Sequence, residues 1–241
     1  MTTRLLVLLG ATLLGGAIPL WVRRSHGLLH RFVALTTGLF LGIVFLHLLP
    51  EALAPPADGD GLDAPWPGLL VLLGVVLLYV LQNLVLPGRT STDPHVVVGW
   101  GSFLGLSVHA LAEGLGLAAV REAGGMTGVL YFSIVAHKLV EGFSLATVFS
   151  LGHAPRPRTV LLLAIFSLVT PVGFLLGSGL FAQLSPAGAQ VLTALAAGTF
   201  LFVALIDLLP EVFHGREDGP ARLLLLAVGT LLALGLHHFG G

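Results

Sequence analysis

The sequence predicts an all-α integral membrane protein with eight transmembrane helices in a 3+2+3 inverted-repeat arrangement. Three features carry that expectation. Mean hydropathy is +0.99 and only 10% of residues are charged, against about 25% in an ordinary soluble domain. Polar or Pro/Gly-rich breaks separate eight apolar stretches, each near the roughly 20 residues that a helix needs to cross the hydrocarbon core. A motif on the second stretch returns 160 residues later on the seventh.

In chain order the spans are expected at 4–22, 32–53, 67–86, 96–120, 127–150, 159–182, 187–212 and 221–239. The first begins at Arg4 and reads as a retained helix rather than a secretory signal, because no A-x-A-like cleavage site precedes Trp21. Spans four, five and seven are long enough to tilt or to project from the bilayer. The loop 54–66 carries Asp58, Asp60 and Asp63 and reads as solvated. Arginines crowd alternate loops: Arg23, Arg24 and Arg31, then Arg89, then Arg156 and Arg158, then Arg216 and Arg222. Only Arg4 and Arg121 fall on the other side, so positive-inside counting places both termini outside the cytoplasm. The Arg-, Ala- and Leu-rich composition fits a bacterial inner membrane. The whole chain, 1–241, reads as one transmembrane domain, with inverted repeats about 1–86 and 159–241 around a central helix pair, 96–150.

The repeat is explicit in the residues. Gly38-Leu-Phe-Leu-Gly-Ile-Val-Phe-Leu-His47-Leu-Leu-Pro-Glu51 aligns with Gly198-Thr-Phe-Leu-Phe-Val-Ala-Leu-Ile-Asp207-Leu-Leu-Pro-Glu211. Spans two and seven run in opposite directions in the expected topology, and inverted repeats that meet near the midplane are how many secondary transporters build two alternating gates.

Cysteine is absent, so a metal would have to be held by His, Asp or Glu. The formal charge of -1 offers no basic field for nucleic acid. Against that background, span four reads Ser107-Val-His109-Ala-Leu-Ala-Glu113-Gly114 and span five Ala136-His137-Lys138-Leu-Val-Glu141-Gly142. Each has His and Glu at i, i+4, which stacks an imidazole and a carboxylate on one helical face. Two such helices supply four ligands. A charged residue at bilayer depth costs roughly 2.5–3.5 kcal/mol on insertion scales, and a bound divalent cation would compensate for it. Sulfur-free His/carboxylate sites suit zinc, iron, manganese, cobalt or nickel.

HALAEG on span four, HKLVEG on span five, HLLPE on span two and DLLPE on span seven together resemble the ZIP (Zrt-/Irt-like) divalent-metal transporters, over essentially the whole chain. The resemblance implies import of metal toward the cytoplasm, with His109, Glu113, His137 and Glu141 as the primary ligands. It also implies an elevator-like movement of spans one, four, five and six against two, three, seven and eight. Three positions depart from members that bind two metals: Ala110, Lys138 and Thr170 stand where a second ion's ligands would be. Lys138, the only lysine in the chain, is therefore expected to balance charge in place of a second cation. The loop 87–95, with His95, is too short for the His-rich metal buffer often found there in the family.

Further residues are candidate entrance or release ligands: His47 and Glu51 at the outer end of span two, Asp207 and Glu211 at the inner end of span seven, near His214. For His47 the alternative is an interfacial histidine beside a helix-ending Pro-Glu. Phe40 and Phe200, at matching repeat positions, are expected to pack in the core. His26, His30 and His153 sit among inner-loop arginines and are expected to be solvated, and the pair His237 and His238 is expected to carry no site. No cofactor is expected, the metal being cargo; the partners are a divalent ion and the lipid bilayer, and a homodimer is compatible with both. Two other classes fit buried His and Glu. An intramembrane zinc-dependent hydrolase would need an open coordination position with activated water, and the repeat argues against it. A metal-sensing membrane protein would use the same ligands without throughput.

Overall fold

A computed structural model of the chain describes residues 2–22, 26–54, 61–85, 94–122, 128–180, 185–214 and 218–240. They form eight helical rods and, among the described residues, no strand. The rods are α1 (Thr2–Val22), α2 (His26–Ile43, continued by Val44–Leu48 and Leu49–Leu53), α3 (Trp66–Val85), α4 (Pro94–Glu122), α5 (Gly128–Leu151), α6 (Arg156–Leu180), α7 (Pro186–Phe202, continued by Val203–Leu208 and Leu209–Val212) and α8 (Gly219–Gly240). Seven are long and apolar enough to cross a bilayer, while the apolar part of α8, Gly219–Gly235, is shorter. The chain is thus an all-α, multi-pass membrane protein. Asp58, Asp60 and Arg89 lie outside the described residues.

Helix starts extend beyond the expected spans. Helix α2 begins at His26 rather than residue 32, so His30 and Arg31 are helical rather than loop residues. Helix α4 begins at Pro94, a residue suited to the first helical position because the N–H it lacks would be unsatisfied there.

The repeated LLPE segments share one backbone device. Each is preceded by a stretch of π-helix, Val44–Leu48 in α2 and Val203–Leu208 in α7. Leu49 N–H donates to the Val44 carbonyl and Leu209 N–H to that of Ala204, five residues back. Pro50 and Pro210 follow directly. An interior proline removes an i→i−4 bond and crowds the carbonyl four residues back, and a wider turn accommodates it without ending the helix.

Four helix pairs dominate the packing: α1 on α5, α4 on α6, α2 on α8 and α3 on α7. Each is joined by two glycines that face the partner's backbone reciprocally. Gly15 meets Leu139 while Gly142 meets Thr12, and Gly114 meets Thr170 while Gly173 meets Leu111. Gly38 and Gly229 do the same between α2 and α8, as do Gly198 and Gly74 between α7 and α3. A Cβ at any of these would run into backbone atoms, so the close approach requires glycine, as small residues generally permit at membrane helix interfaces. Gly38 and Gly198 are themselves the first residues of the repeated motif.

Polar side chains close the rod ends, where helical carbonyls lack partners. Gln190 donates to the carbonyls of Ala52 and Ala54 at 3.3 and 3.0 Å and accepts from Leu62 N–H at 2.9 Å. Arg222 is buried rather than a loop arginine, and donates to the carbonyls of Val212 and His214 at 3.2 and 2.6 Å. Outward faces are apolar, with Leu72, Leu73 and Tyr79 on α3 and Leu224 and Leu231 on α8 exposed. The interior is built by α2, α4, α5 and α7 around Phe40, Leu106, Leu145 and Phe200.

Candidate metal centre

His109 stands halfway along α4, and His137 to Glu141 halfway along α5. The i, i+4 spacing on each helix aims both pairs inward: His109 is 2% exposed, His137 7% and Glu141 0%. His109 Nε2 lies 3.3 Å from His137 Nε2. Glu141 Oε1 lies 3.0 Å from His137 Nε2 and 3.6 Å from His109 Nε2. Around a tetrahedral zinc with bonds of about 2.0–2.2 Å, ligand atoms stand roughly 3.3–3.5 Å apart. The three separations, 3.0, 3.3 and 3.6 Å, bracket that edge length. Glu113 completes the set: one ligand atom each from His109, Glu113 and His137 lies within 4.8 Å of the others.

The orientation of each ring is held from behind. His109 Nδ1 is 3.1 Å from the carbonyl of Ala196 on α7, which leaves Nε2 directed into the cluster. Phe200, also on α7, packs against His109 with ring centroids 4.4 Å apart and stacks on His137 at 4.9 Å. Phe40 abuts Phe200 at 4.7 Å. Both phenylalanines are core residues as expected, but the face that Phe200 covers is the histidine pair itself.

Lys138 is fully enclosed beside this group. Its ammonium bridges the two carboxylates, at 2.5 Å from Glu113 Oε2 and 2.6 Å from Glu141 Oε2. Thr170 donates to the same oxygen of Glu113 at 3.3 Å. Burying an ion costs several kcal/mol even after relaxation, and only close pairing with further hydrogen bonds offsets it. Here one oxygen of each carboxylate, Glu113 Oε2 and Glu141 Oε2, is tied to the lysine, while Glu141 Oε1 faces the histidines. Counted with both carboxylates ionised, the two glutamates and Lys138 carry a single net negative charge.

The glycine after each glutamate sets the depth of the cluster. Gly114 brings α4 against the backbone at Thr170, Phe174 and Gly173 of α6, which is why the Thr170 hydroxyl reaches Glu113. Gly142 brings α5 against α1 in the same way.

The remaining expected residues lie elsewhere. His47 falls in the π-helical stretch of α2 and is half-buried, and Glu51 is exposed; neither joins the cluster around His109. Asp207 is buried, with Gln82 Nε2 donating to its Oδ2 at 2.9 Å and to the Gly101 carbonyl at the same distance. Glu211 is buried against His95 and His30. The expectation that His30 is solvated is corrected: it is 6% exposed, because α2 starts early enough to carry it into the bundle. His153 is exposed as expected, and the side chains of His26, His237 and His238 lie outside the described residues. Gln82, Gln190 and Phe200 could not be assigned partners beforehand, since each bonds or packs across more than a hundred residues of sequence or onto a neighbouring rod.

The geometry agrees with what is similar to this chain. A family model described as ZIP Zinc transporter matches residues 86–239. Zinc transporter ZIP1 of Homo sapiens is 24% identical over 96% of this chain and 88% of its own length. Zinc transporter ZIP13 of Pongo abelii is 29% identical over 93% and 76%, and Zinc transporter 3 of Arabidopsis thaliana 23% identical over 84% and 70%. With both helix motifs, the eight-rod architecture and these matches on the page, the chain belongs to the ZIP family of zinc transporters, which are transporters and not enzymes.

Proposed function

We propose that this protein carries divalent transition-metal ions, zinc first and iron, manganese or cadmium as alternatives, toward the cytoplasm by alternating access through His109, Glu113, His137 and Glu141. The observation that carries the reading is the spacing of the three ligand atoms, 3.0, 3.3 and 3.6 Å, which suits one tetrahedral ion. The second positive charge belongs to Lys138, so the site holds one metal. His47 and Glu51 serve entry, and Asp207 and Glu211 serve release. Alternating access draws support from the packing. Each glycine-joined pair lies wholly within one of two groups, α1, α4, α5 and α6 or α2, α3, α7 and α8. The repeats 1–86 and 159–241 supply one π-interrupted rod each, and exchanging them together with α4 and α5 maps each glycine-joined pair onto another. We place the protein in a bacterial inner membrane with both termini extracytoplasmic.

The test is zinc uptake into vesicles reconstituted with the purified full chain. Wild type should fill the vesicles, and Glu113→Ala/Glu141→Ala should bring uptake to the level of empty vesicles while the protein stays monodisperse and helical. Uptake retained by the folded double variant removes the central assignment. Binding without uptake in the wild type favours a sensor over a carrier.

A further inference from the structure

A second His/carboxylate group stands at the start of α4. His95 precedes His109 by 14 residues, about 21 Å along a helix axis at 1.5 Å per residue. His95 Nδ1 lies 2.8 Å from Glu211 Oε1, and His30 Nδ1 lies 3.4 Å from the same oxygen. One ligand atom from each of the three is within 4.8 Å of the other two. The rings of His30 and His95 meet edge to face with centroids 5.3 Å apart. His30 and Glu211 are buried at 6% and 3% exposure, and the His95 side chain is 12% exposed.

We propose that His30, His95 and Glu211 form a second divalent-metal site, separate from the central one. Two imidazole nitrogens and one carboxylate oxygen are a ligand set for zinc and other borderline divalent ions. The 3.4 Å separation matches the roughly 3.3–3.5 Å edge of a tetrahedral zinc site, and the 2.8 Å contact of His95 has to open by about half an ångström as an ion enters. Three protein ligands leave a fourth position for water. Asp207, one turn before Glu211 on the same rod, accepts from Gln82 at 2.9 Å. A way out toward solvent is marked by His214, exposed and with its ring 5.3 Å from that of His95.

Purely structural contact between these helix ends would also bury two histidines on a glutamate. The two accounts differ in what an ion does. The three ligands come from the start of α2, the start of α4 and the end of α7, so an ion bound there holds three rods together and stabilises this arrangement by mass action. The site supplies partners for the release role proposed for Glu211, and rests on that reading only for the direction of flow.

Cobalt(II) and zinc titrations of the full-length protein in detergent micelles count the ions. Wild type should bind two per chain, and Glu113→Ala/Glu141→Ala one. Adding His95→Ala to that background should remove the remaining ion and its visible cobalt absorption; His30→Gln, a milder change, should weaken it at least tenfold. Circular dichroism and size exclusion confirm that each variant is folded. Thermal unfolding of the wild type should shift upward with zinc by more than that of His95→Ala. A wild type that binds one ion, lost in Glu113→Ala/Glu141→Ala and untouched by His95→Ala and His30→Gln, overturns the proposal and leaves the central reading intact. A bound ion that survives the central double substitution but not His95→Ala supports the second site whatever the fate of the first.

Discussion

The bundle contains two buried groups of histidine and glutamate, and they are built on different plans. The central group draws His109, Glu113, His137 and Glu141 from two adjacent helices, each contributing a pair one turn apart. The end group draws one residue each from α2, α4 and α7. Their charge is nonetheless alike. With carboxylates ionised and imidazoles neutral, the central group holds two negative charges and one lysine, and the end group one negative charge alone. A divalent ion meets one net negative charge in both. Affinity differences between them therefore have to come from geometry and from the buried lysine, not from charge count. A cluster whose carboxylates are neutralised in part by an ammonium stays compensated without a metal, which suits the proposed carrier role.

The largest effect should follow from breaking that difference at Lys138. Lys138→Met removes the ammonium but keeps most of the volume, leaving two buried carboxylates without their bridge. Breaking a buried charge network costs about 3–5 kcal/mol, so metal-free protein should unfold at a clearly lower temperature, with zinc restoring more of the loss than it adds to wild type. Differential scanning fluorimetry with and without zinc reads both. Equal zinc-induced shifts in the two proteins would mean that the lysine does not stand in for a cation.

Next in size is Gly114→Ala. The added Cβ meets the Thr170 carbonyl on α6, and overpacking of this kind costs typically about 1–3 kcal/mol. Separation of α4 from α6 also takes Thr170 away from Glu113, so uptake should drop alongside stability. Gly116→Ala, where a Cβ meets nothing, is the control and should be silent in both measurements.

Acidification should weaken zinc binding at both groups, because imidazole ligates only when unprotonated and binding releases protons. Isothermal titration in buffers of different ionisation enthalpy reads the protons released per ion. An imidazole already neutral releases no proton, so the sign is read by lowering the pH: an affinity and a proton count that both stay constant into the acid range would exclude histidine from the ligand sets.

The smallest expected effect belongs to Phe200→Leu, which takes an aromatic face from both His109 and His137 while keeping the site apolar. Ring pairing is worth about 0.5–1.5 kcal/mol beyond burial. Zinc affinity should fall by roughly tenfold or less, with the end group unaffected; a change in the end group's affinity instead would show that the two communicate.

The central pair was legible in the residues because His and Glu at i, i+4 on consecutive helices are a local pattern. Helical periodicity places His109 with Glu113, and His137 with Glu141, before any packing is known. The eight rods were legible for the same kind of reason, since hydropathy is summed along a continuous segment. The motif shared by α2 and α7 was visible, and so was the oddity of a lysine deep in span five. The pairing of Lys138 with both glutamates was not, because its reach to Glu113 depends on how closely α5 approaches α4. Nor was the end group. His30 read as a solvated residue among inner-loop arginines and His95 as part of the short loop 87–95, and only the early starts of α2 and α4, together with the packing of α7 against both, bring the two rings onto Glu211. By itself the sequence determined the class of fold, the family and which His and Glu stand one turn apart on the same helix. Tertiary structure alone decided which residues from separate rods converge, because those distances are set by glycine-to-backbone contacts between helices and have no period along the chain.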